Sequence, residues 1–245
     1  FLKKILTIDL KRLNHFYYIF IILYLLLSIS PITSGDSVAY HLSSAKYILS
    51  NGEFPSYHFD STNSLVGAGE LLNAFALSIN AYNFNSLINF VAIISILGIL
   101  KKFCENFNAD GYLKQLVYLS ILSCPVLVFL VSSAKSQLFS ISLIFLSYSL
   151  LLLSLNYDKQ KKFLIKNFFI SLLICIVAVQ TKISFSLSFF LIISSFLILI
   201  RKEKYFFKIL IVFVILSIIG LMPYPIWKQN VYNYPFYNFF INPFP

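Results

Sequence analysis

Charged residues are scarce in this chain of 245 amino acids. Only 11% of the residues are Asp, Glu, Lys or Arg, whereas 59% are hydrophobic. A soluble domain carries about a quarter charged residues. This composition leaves too little polar surface to cover a water-soluble globule, so it excludes a soluble globular domain and indicates that lipid is the solvent for most of the chain.

Cysteine is also scarce. Cys104, Cys124 and Cys175 lie far apart and form no CxxC pair. We therefore predict neither a disulfide framework nor a cysteine metal site, and interpret all three as small apolar residues in or near helices. A cleavable signal peptide is not expected either, because the first apolar block is followed by Pro31 and not by a small-x-small site.

The apolar residues occur in seven blocks, several of them long enough to cross a hydrocarbon core of about 30 Å. The blocks are 16–29, 71–100, 116–131, 138–155, 168–179, 183–200 and 209–222. They are apolar on every face and do not alternate, which favours helices over a closed barrel. The sequence thus predicts an all-α, polytopic membrane protein with about seven transmembrane helices in one domain over residues 1–245.

Two kinds of block depart from a simple span. The second block contains several asparagines, among them Asn73, Asn85 and Asn89. We expect it to begin as an interfacial helix before it crosses the membrane. The fifth and seventh blocks are short, so their helices should extend into the flanking residues.

The basic residues predict the orientation. Fifteen of the nineteen lysines and arginines lie in segments 1–15, 101–114, 156–167 and 201–208. By the positive-inside rule these segments are cytoplasmic, which places the N-terminus inside and the protein in the inner or plasma membrane. The same residues account for the net charge of +10 as scattered juxtamembrane anchors, so no nucleic-acid partner is expected.

The first outer loop, residues 30–70, holds four of the nine acidic residues and two of the three histidines. Within it we predict an amphipathic surface helix over residues 36–50, stopped by Asn51-Gly52. Val38, Leu42, Ala45 and Leu49 form its apolar stripe. Asp36 has two compatible interpretations, an N-cap and a carboxylate that serves as a general base or metal ligand at the membrane surface.

Three further residues of this loop are candidates for a site. Tyr40 follows Asp36 by four positions and should lie near it on a helix, with His41 beside them. Glu70 is either a first-turn acid that suits the helix dipole or a residue that lines a site. A metal site that includes His41 or His58 is the less favoured alternative, because it needs three or more converging ligands.

Two lysines interrupt an outer side that is otherwise almost free of basic residues. Lys135 lies in the tight turn between the third and fourth blocks, and Lys182 lies between the fifth and sixth. Each either snorkels to the interface or captures a phosphate at the outer leaflet, for which a lysine is suited as a point charge.

The stretch 223–245 is rich in Tyr, Phe, Asn and Pro. It is typical of an aromatic belt on the extracytoplasmic side, or forms a re-entrant wall of a site. Because the chain starts at Phe1 and ends within this stretch, we expect a fragment that is truncated at its C-terminus.

Several of these features resemble the GT-C superfamily of membrane glycosyltransferases, in particular the protein mannosyltransferase and aminoarabinose transferase branch. The first span is followed by Ser-Gly-Asp36-Ser-Val-Ala-Tyr40-His41, which is similar to the D-x-x-x-Y-H stretch of many bacterial members. Thr181-Lys182 resembles the T-K between two later spans, and the segment from Trp227 to Phe236 resembles the N-P-x-x-P-F type segment. Only the first-loop motif is at all specific.

The resemblance implies transfer of a sugar from a polyprenyl-phosphate donor to a lipid, glycan or protein acceptor on the outer face. It assigns Asp36 as the general base or acceptor-positioning residue and Lys182 as a contact of the donor phosphate. Tyr40, His41, Glu70 and Lys135 are the further substrate-binding candidates. Ser37 stands where some relatives have a second acid, so we expect no cofactor, with a divalent metal as the alternative.

Two other functions stay open from the sequence. A transporter or flippase for lipid-linked glycans would place charges at mid-membrane, whereas here the spans hold almost none. In an assembly subunit the loop acids would serve only as solubilising groups.

Overall fold

The computed structural model describes residues 10–55, 66–156 and 161–232, with side chains described for 14–55, 66–152 and 165–230. His58, the metal-ligand alternative, and residues 233–245 of the aromatic stretch lie outside these ranges. All secondary structure within them is helical. The all-α prediction is therefore confirmed for this part of the chain.

Eleven α-helices follow one another in the described residues. They are α1 (Leu10–Ile29), α2 (Ser43–Asn51), α3 (Ala68–Ser78), α4 (Phe84–Asn106), α5 (Gly111–Leu122), α6 (Pro125–Val131), α7 (Gln137–Asn156), α8 (Lys161–Thr181), α9 (Ser186–Leu199), α10 (Phe206–Leu221) and α11 (Pro223–Tyr232). A π-helical stretch, Ser37–Leu42, runs directly into α2, and a 3₁₀ turn, Ile183–Phe185, leads into α9.

Two helices are long and apolar enough to cross a membrane: α4, and the continuous helix Phe206–Asn230 that α10 and α11 form together. The pair α5 and α6 passes the same test as one segment bent by 59° and would be a third. Large apolar side chains of α10, such as Ile211 and Ile219, are more than half exposed. Hydrocarbon, and not water, suits such a surface.

Each predicted block is helical, but two of them are broken. The second block divides into α3 and α4 at a turn where Asn80 has a positive φ of 57°, whereas the interfacial position expected for its start stays a prediction. The third block bends between α5 and α6 because Pro125 occupies the first turn of α6 and has no N–H to continue the preceding helix. The stretch that begins at Pro223 is helical as far as Tyr232.

Helices α7 and α8 make the most extensive contact and form the centre of the bundle. Ser147 and Ser171 donate hydrogen bonds to each other's backbone carbonyls, at 3.0 and 3.2 Å. Small hydroxyl residues of this kind let two helix backbones approach closely. Helix α10 packs on one side of this pair, whereas α4 packs on the other and contacts α1.

The contact between α8 and α10 depends on Gly220. A Cβ at this position would lie 2.6 Å from Cγ2 of Ile176, whereas a Cβ at Gly98 of α4 would meet nothing within 4 Å. The side-chain amide of Gln180 also donates to the carbonyl of Gly220. The backbone of α10 at Gly220 therefore packs directly against the side chain of Ile176 on α8.

We expect Gly220→Ala to destabilise the protein by roughly 1–3 kcal/mol through overpacking. Gly98→Ala is the matched control, since alanine is the better helix former and has room there. Thermal unfolding in detergent should give a lower Tm for Gly220→Ala and an equal or higher Tm for Gly98→Ala. Equal melting temperatures for the two variants would contradict the close approach.

Candidate functional site

A cavity of about 350 Å³, here called the polar pocket, lies where four segments meet. They are the π-helical stretch, the start of α3, the turn before α7 and the link after α8. All six site residues predicted from the sequence line it, together with four others. The lining residues are Asp36, Tyr40, His41, Glu70, Lys135, Ser136, Thr181, Lys182, Ile183 and Ser184.

The helix predicted over residues 36–50 is present as the π-helical stretch followed by α2. It ends at Gly52, whose φ of 73° is the left-handed conformation that favours glycine and whose N–H donates to the carbonyl of Ile48. The predicted apolar stripe is divided, however. Ala45 is buried against α3, whereas Val38 and Leu49 are about half exposed. The i→i+5 pattern of the π-helix changes which residues share a face, and His41 lies on the buried side.

Asp36 forms an ion pair with Lys135 at the mouth of the pocket, with 2.8 Å between Oδ2 and Nζ. It makes no capping hydrogen bond with its side chain, so the N-cap interpretation of Asp36 is wrong. The hydrogen bond and the charge of Lys135 lower the pKa of this exposed carboxyl. Any stability that the pair contributes is therefore present at neutral pH and is lost only as the pH falls through that lowered pKa.

Glu70 lies in the first turn of α3, as predicted, and both of its carboxylate oxygens are engaged. Oε2 accepts the N–H of Gly67 at 2.7 Å, and Oε1 lies 2.6 Å from Nδ1 of His41. His41 and Glu70 are 8% and 4% exposed, respectively. The pair joins the first-loop helix to α3 by a buried, charge-assisted hydrogen bond, the stronger class of such bonds.

Lys182 is the half-buried cation of the pocket. Within the described residues no carboxylate lies within salt-bridge distance of its ammonium. Burial lowers its pKa from the ordinary 10.5, the nearby charge of Lys135 lowers it further, and Glu70 acts in the opposite direction. The two ammonium groups repel each other across the cavity. An anion bound between them would offset this repulsion.

The turn that presents Lys135 is held by asparagines that the sequence analysis did not place in the site. Asn89 donates to the carbonyls of Lys135 and Leu130, at 2.7 and 3.0 Å. Asn85 and Asn73 both donate to the carbonyl of Ala134, at 3.0 and 3.1 Å. All three side chains are buried. Asparagines within an apolar block were the signal in the sequence that these side chains have a structural role. The sequence did not indicate which groups they bind.

The start of α3 packs directly on the end of α8. A Cβ at Gly69 would collide with the hydroxyl of Ser136 and would lie 3.2 Å from the carbonyl of Thr181. The hydroxyl of Thr181 lies 2.6 Å from that of Ser140 on α7. This close approach, which only glycine permits, brings Glu70 and Lys182 to one cavity.

The described residues include no group of three or more His, Cys, Asp or Glu that could hold a metal ion. The pocket instead combines one exposed ion pair, one buried histidine–carboxylate pair and a second lysine. It can attract an anion through its lysines and accept a proton through its carboxylate or imidazole.

The chain is helical, and two or three of its helices are long and apolar enough to cross a membrane. The connections between its helices form a charged pocket. The chain belongs to the DUF1420 N-terminal domain family, which it matches over residues 1–245. No curated protein and no solved structure matches it. The resemblance to GT-C glycosyltransferases therefore stays a prediction.

We expect Asn89→Ala to destabilise the protein by about 1–3 kcal/mol, because it leaves buried carbonyls of the Lys135 turn without their donor. Ser95→Ala is the control, since Ser95 lies on the same helix and donates only to the carbonyl of Val91 in its own helix. Melting temperatures in detergent should separate the two variants. A loss for Asn89→Ala no larger than that for Ser95→Ala would contradict the role of this side chain.

Proposed function

We propose that the chain is a multi-pass protein of the inner or plasma membrane with about seven spans, a cytoplasmic N-terminus and the polar pocket on the extracytoplasmic side. The distribution of basic residues supports this orientation. The pocket adds support, because its residues come from the first loop, the turn before α7 and the link after α8. The charge pattern independently assigns these three connections to the outside.

We propose further that the protein transfers a sugar from a polyprenyl-phosphate-linked donor to a lipid, glycan or protein acceptor, and that the polar pocket is its active site. The observation that carries this proposal is that Lys182 and Lys135 line the same cavity. Lys182 is half-buried and has no salt-bridge partner among the described residues. A donor of this kind carries its phosphate at the membrane interface. Two ammonium groups at that depth would hold it and stabilise the charge that it gains as a leaving group.

The other half of the reaction requires a group that takes the proton of the acceptor hydroxyl. The resemblance assigns this role, or that of positioning the acceptor, to Asp36, which lies exposed at the mouth of the pocket. Tyr40 and His41 lie on the same helical segment and also line the pocket. The acceptor would enter on the side of Asp36, and the donor phosphate would lie deeper, against Lys182.

Lys182→Ala should weaken the binding of polyprenyl phosphate by about 10- to 100-fold, since a hydrogen bond to a charged group contributes about 1.5–3 kcal/mol. Binding is measured with polyprenyl phosphate in nanodiscs. Lys46→Ala, which removes an exposed lysine of α2 that does not line the pocket, should leave the affinity unchanged. Equal affinity of Lys182→Ala and wild type would exclude phosphate capture by this residue.

The pH dependence of this binding is a second test of whether Lys182 contacts the phosphate. Because its pKa is lowered, the wild type should lose affinity as the pH rises through a value below 10.5. The affinity of Lys182→Arg for polyprenyl phosphate should fall less over the same pH range, since arginine keeps its proton. Identical pH profiles for the two proteins would show that Lys182 does not contact the phosphate.

The proposed orientation predicts which single cysteines a membrane-impermeant thiol reagent labels in intact cells. In a variant without Cys104, Cys124 and Cys175, a cysteine in place of Lys46 should be labelled from outside. A cysteine in place of Lys114, at the start of α5, should react only after the membrane is opened. The reverse pattern would invert the topology and place the polar pocket in the cytoplasm.

A further inference from the structure

We infer that His41, held in place by Glu70, takes the proton of the acceptor hydroxyl in the proposed transfer. This inference rests on the proposed function and assigns one step of it. It starts from the buried pair of Nδ1 of His41 and Oε1 of Glu70, 2.6 Å apart, at the wall of the polar pocket.

The contacts of Glu70 determine which nitrogen of His41 is free. An ionised carboxylate only accepts hydrogen bonds, so the proton of a neutral imidazole must lie on Nδ1, between His41 and Glu70. Nε2, on the opposite edge of the ring, then carries the lone pair. Because the N–H of Gly67 binds the other carboxylate oxygen at 2.7 Å, Glu70 is fixed and holds the imidazole in one tautomer and one orientation. A buried carboxylate behind a histidine is the arrangement that prepares an imidazole as a general base.

Asp36 is less suited to take the proton. Its carboxylate is bound to Lys135 at 2.8 Å, and this contact lowers its pKa. A general base is most effective when its pKa lies near the working pH, so the ion pair weakens Asp36 as a base. The geometry leaves Asp36 as a positioning residue that orients Lys135 and the incoming acceptor.

Four charged groups share the polar pocket with His41. Glu70 faces it from α3 and Asp36 from its own helical segment. Lys135 and Lys182 line the same pocket from the turn before α7 and the link after α8. Two of the four groups are cations, so a phosphate bound in the pocket would be attracted to them.

The step balances as follows. The acceptor hydroxyl transfers its proton to Nε2 of His41, and its oxygen lone pair forms the new bond to the anomeric carbon of the sugar. The bond between that carbon and the phosphate oxygen breaks, and its electron pair leaves with the polyprenyl phosphate. Lys135 and Lys182 neutralise the leaving phosphate, and Glu70 stabilises the imidazolium until water removes the proton.

The decisive variant is His41→Gln in the intact chain. A glutamine amide can still donate to Glu70 but cannot take up a proton. In proteoliposomes supplied with polyprenyl-phosphate mannose or polyprenyl-phosphate aminoarabinose, turnover should fall by about 10²- to 10⁴-fold with little change in the KM for the donor. His15→Gln, which changes the exposed histidine of α1, is the control and should keep wild-type turnover.

The pH–rate profile separates catalysis from a purely structural role. Wild type and Asp36→Asn should both lose activity on acidification, because an imidazole that already carries a proton cannot take another from the acceptor. The residual activity of His41→Gln should lack this decline. If the decline persists in His41→Gln, or vanishes in Asp36→Asn alone, the assignment to His41 is overturned.

Histidine ¹⁵N NMR tests the same assignment without any turnover. In nanodiscs near pH 8, His41 should be the Nδ1–H tautomer, identified by its loss in His41→Gln, and Glu70→Gln should abolish this preference. An Nε2–H tautomer in the wild type would overturn the proposal. Failure of the wild type to turn over either donor would count against the proposed function. The NMR measurement would still show which ring nitrogen of His41 carries the proton.

Discussion

The polar pocket depends on the cost of burying an amide or a carbonyl without a partner in a low-dielectric bundle. The turn before α7 exposes several backbone carbonyls to the interior, and asparagines of α3 and α4 supply their donors. Lys135 occupies its position because this turn is fixed from behind. A loose turn would leave the ammonium free to snorkel into solvent and would break its contact with Asp36.

Close backbone approach is the second constraint. At Gly69 no side chain separates α3 from Ser136 and from the carbonyl of Thr181. The buried pair of His41 and Glu70 then connects α3 to the first-loop helix. In this way the four segments of the pocket form one packed unit, in which a shift of any helix would move a charged group.

The charged groups of the pocket differ in their exposure to water. Asp36 is exposed at the mouth, where water screens its charge, whereas Lys135 and Lys182 are half-buried and the histidine–carboxylate pair is buried. Charges interact more strongly where water is excluded. An anionic group would therefore gain most beside the two half-buried lysines and least beside the exposed carboxylate of Asp36.

The helices of the apolar blocks and the first-loop helix could be predicted from the sequence alone, because they follow from local signals: apolar blocks, the Gly52 stop and the absence of alternating strands. The sequence also identified six of the ten residues that line the pocket, since charges are rare enough in this chain to be conspicuous. The partners of these six residues became known only from the packing of the helices. Asp36 meets Lys135 across 99 positions and His41 meets Glu70 across 29, and such pairings arise from helix packing, which no local pattern encodes. For the same reason only the fold revealed that the asparagines of the second block hold the Lys135 turn.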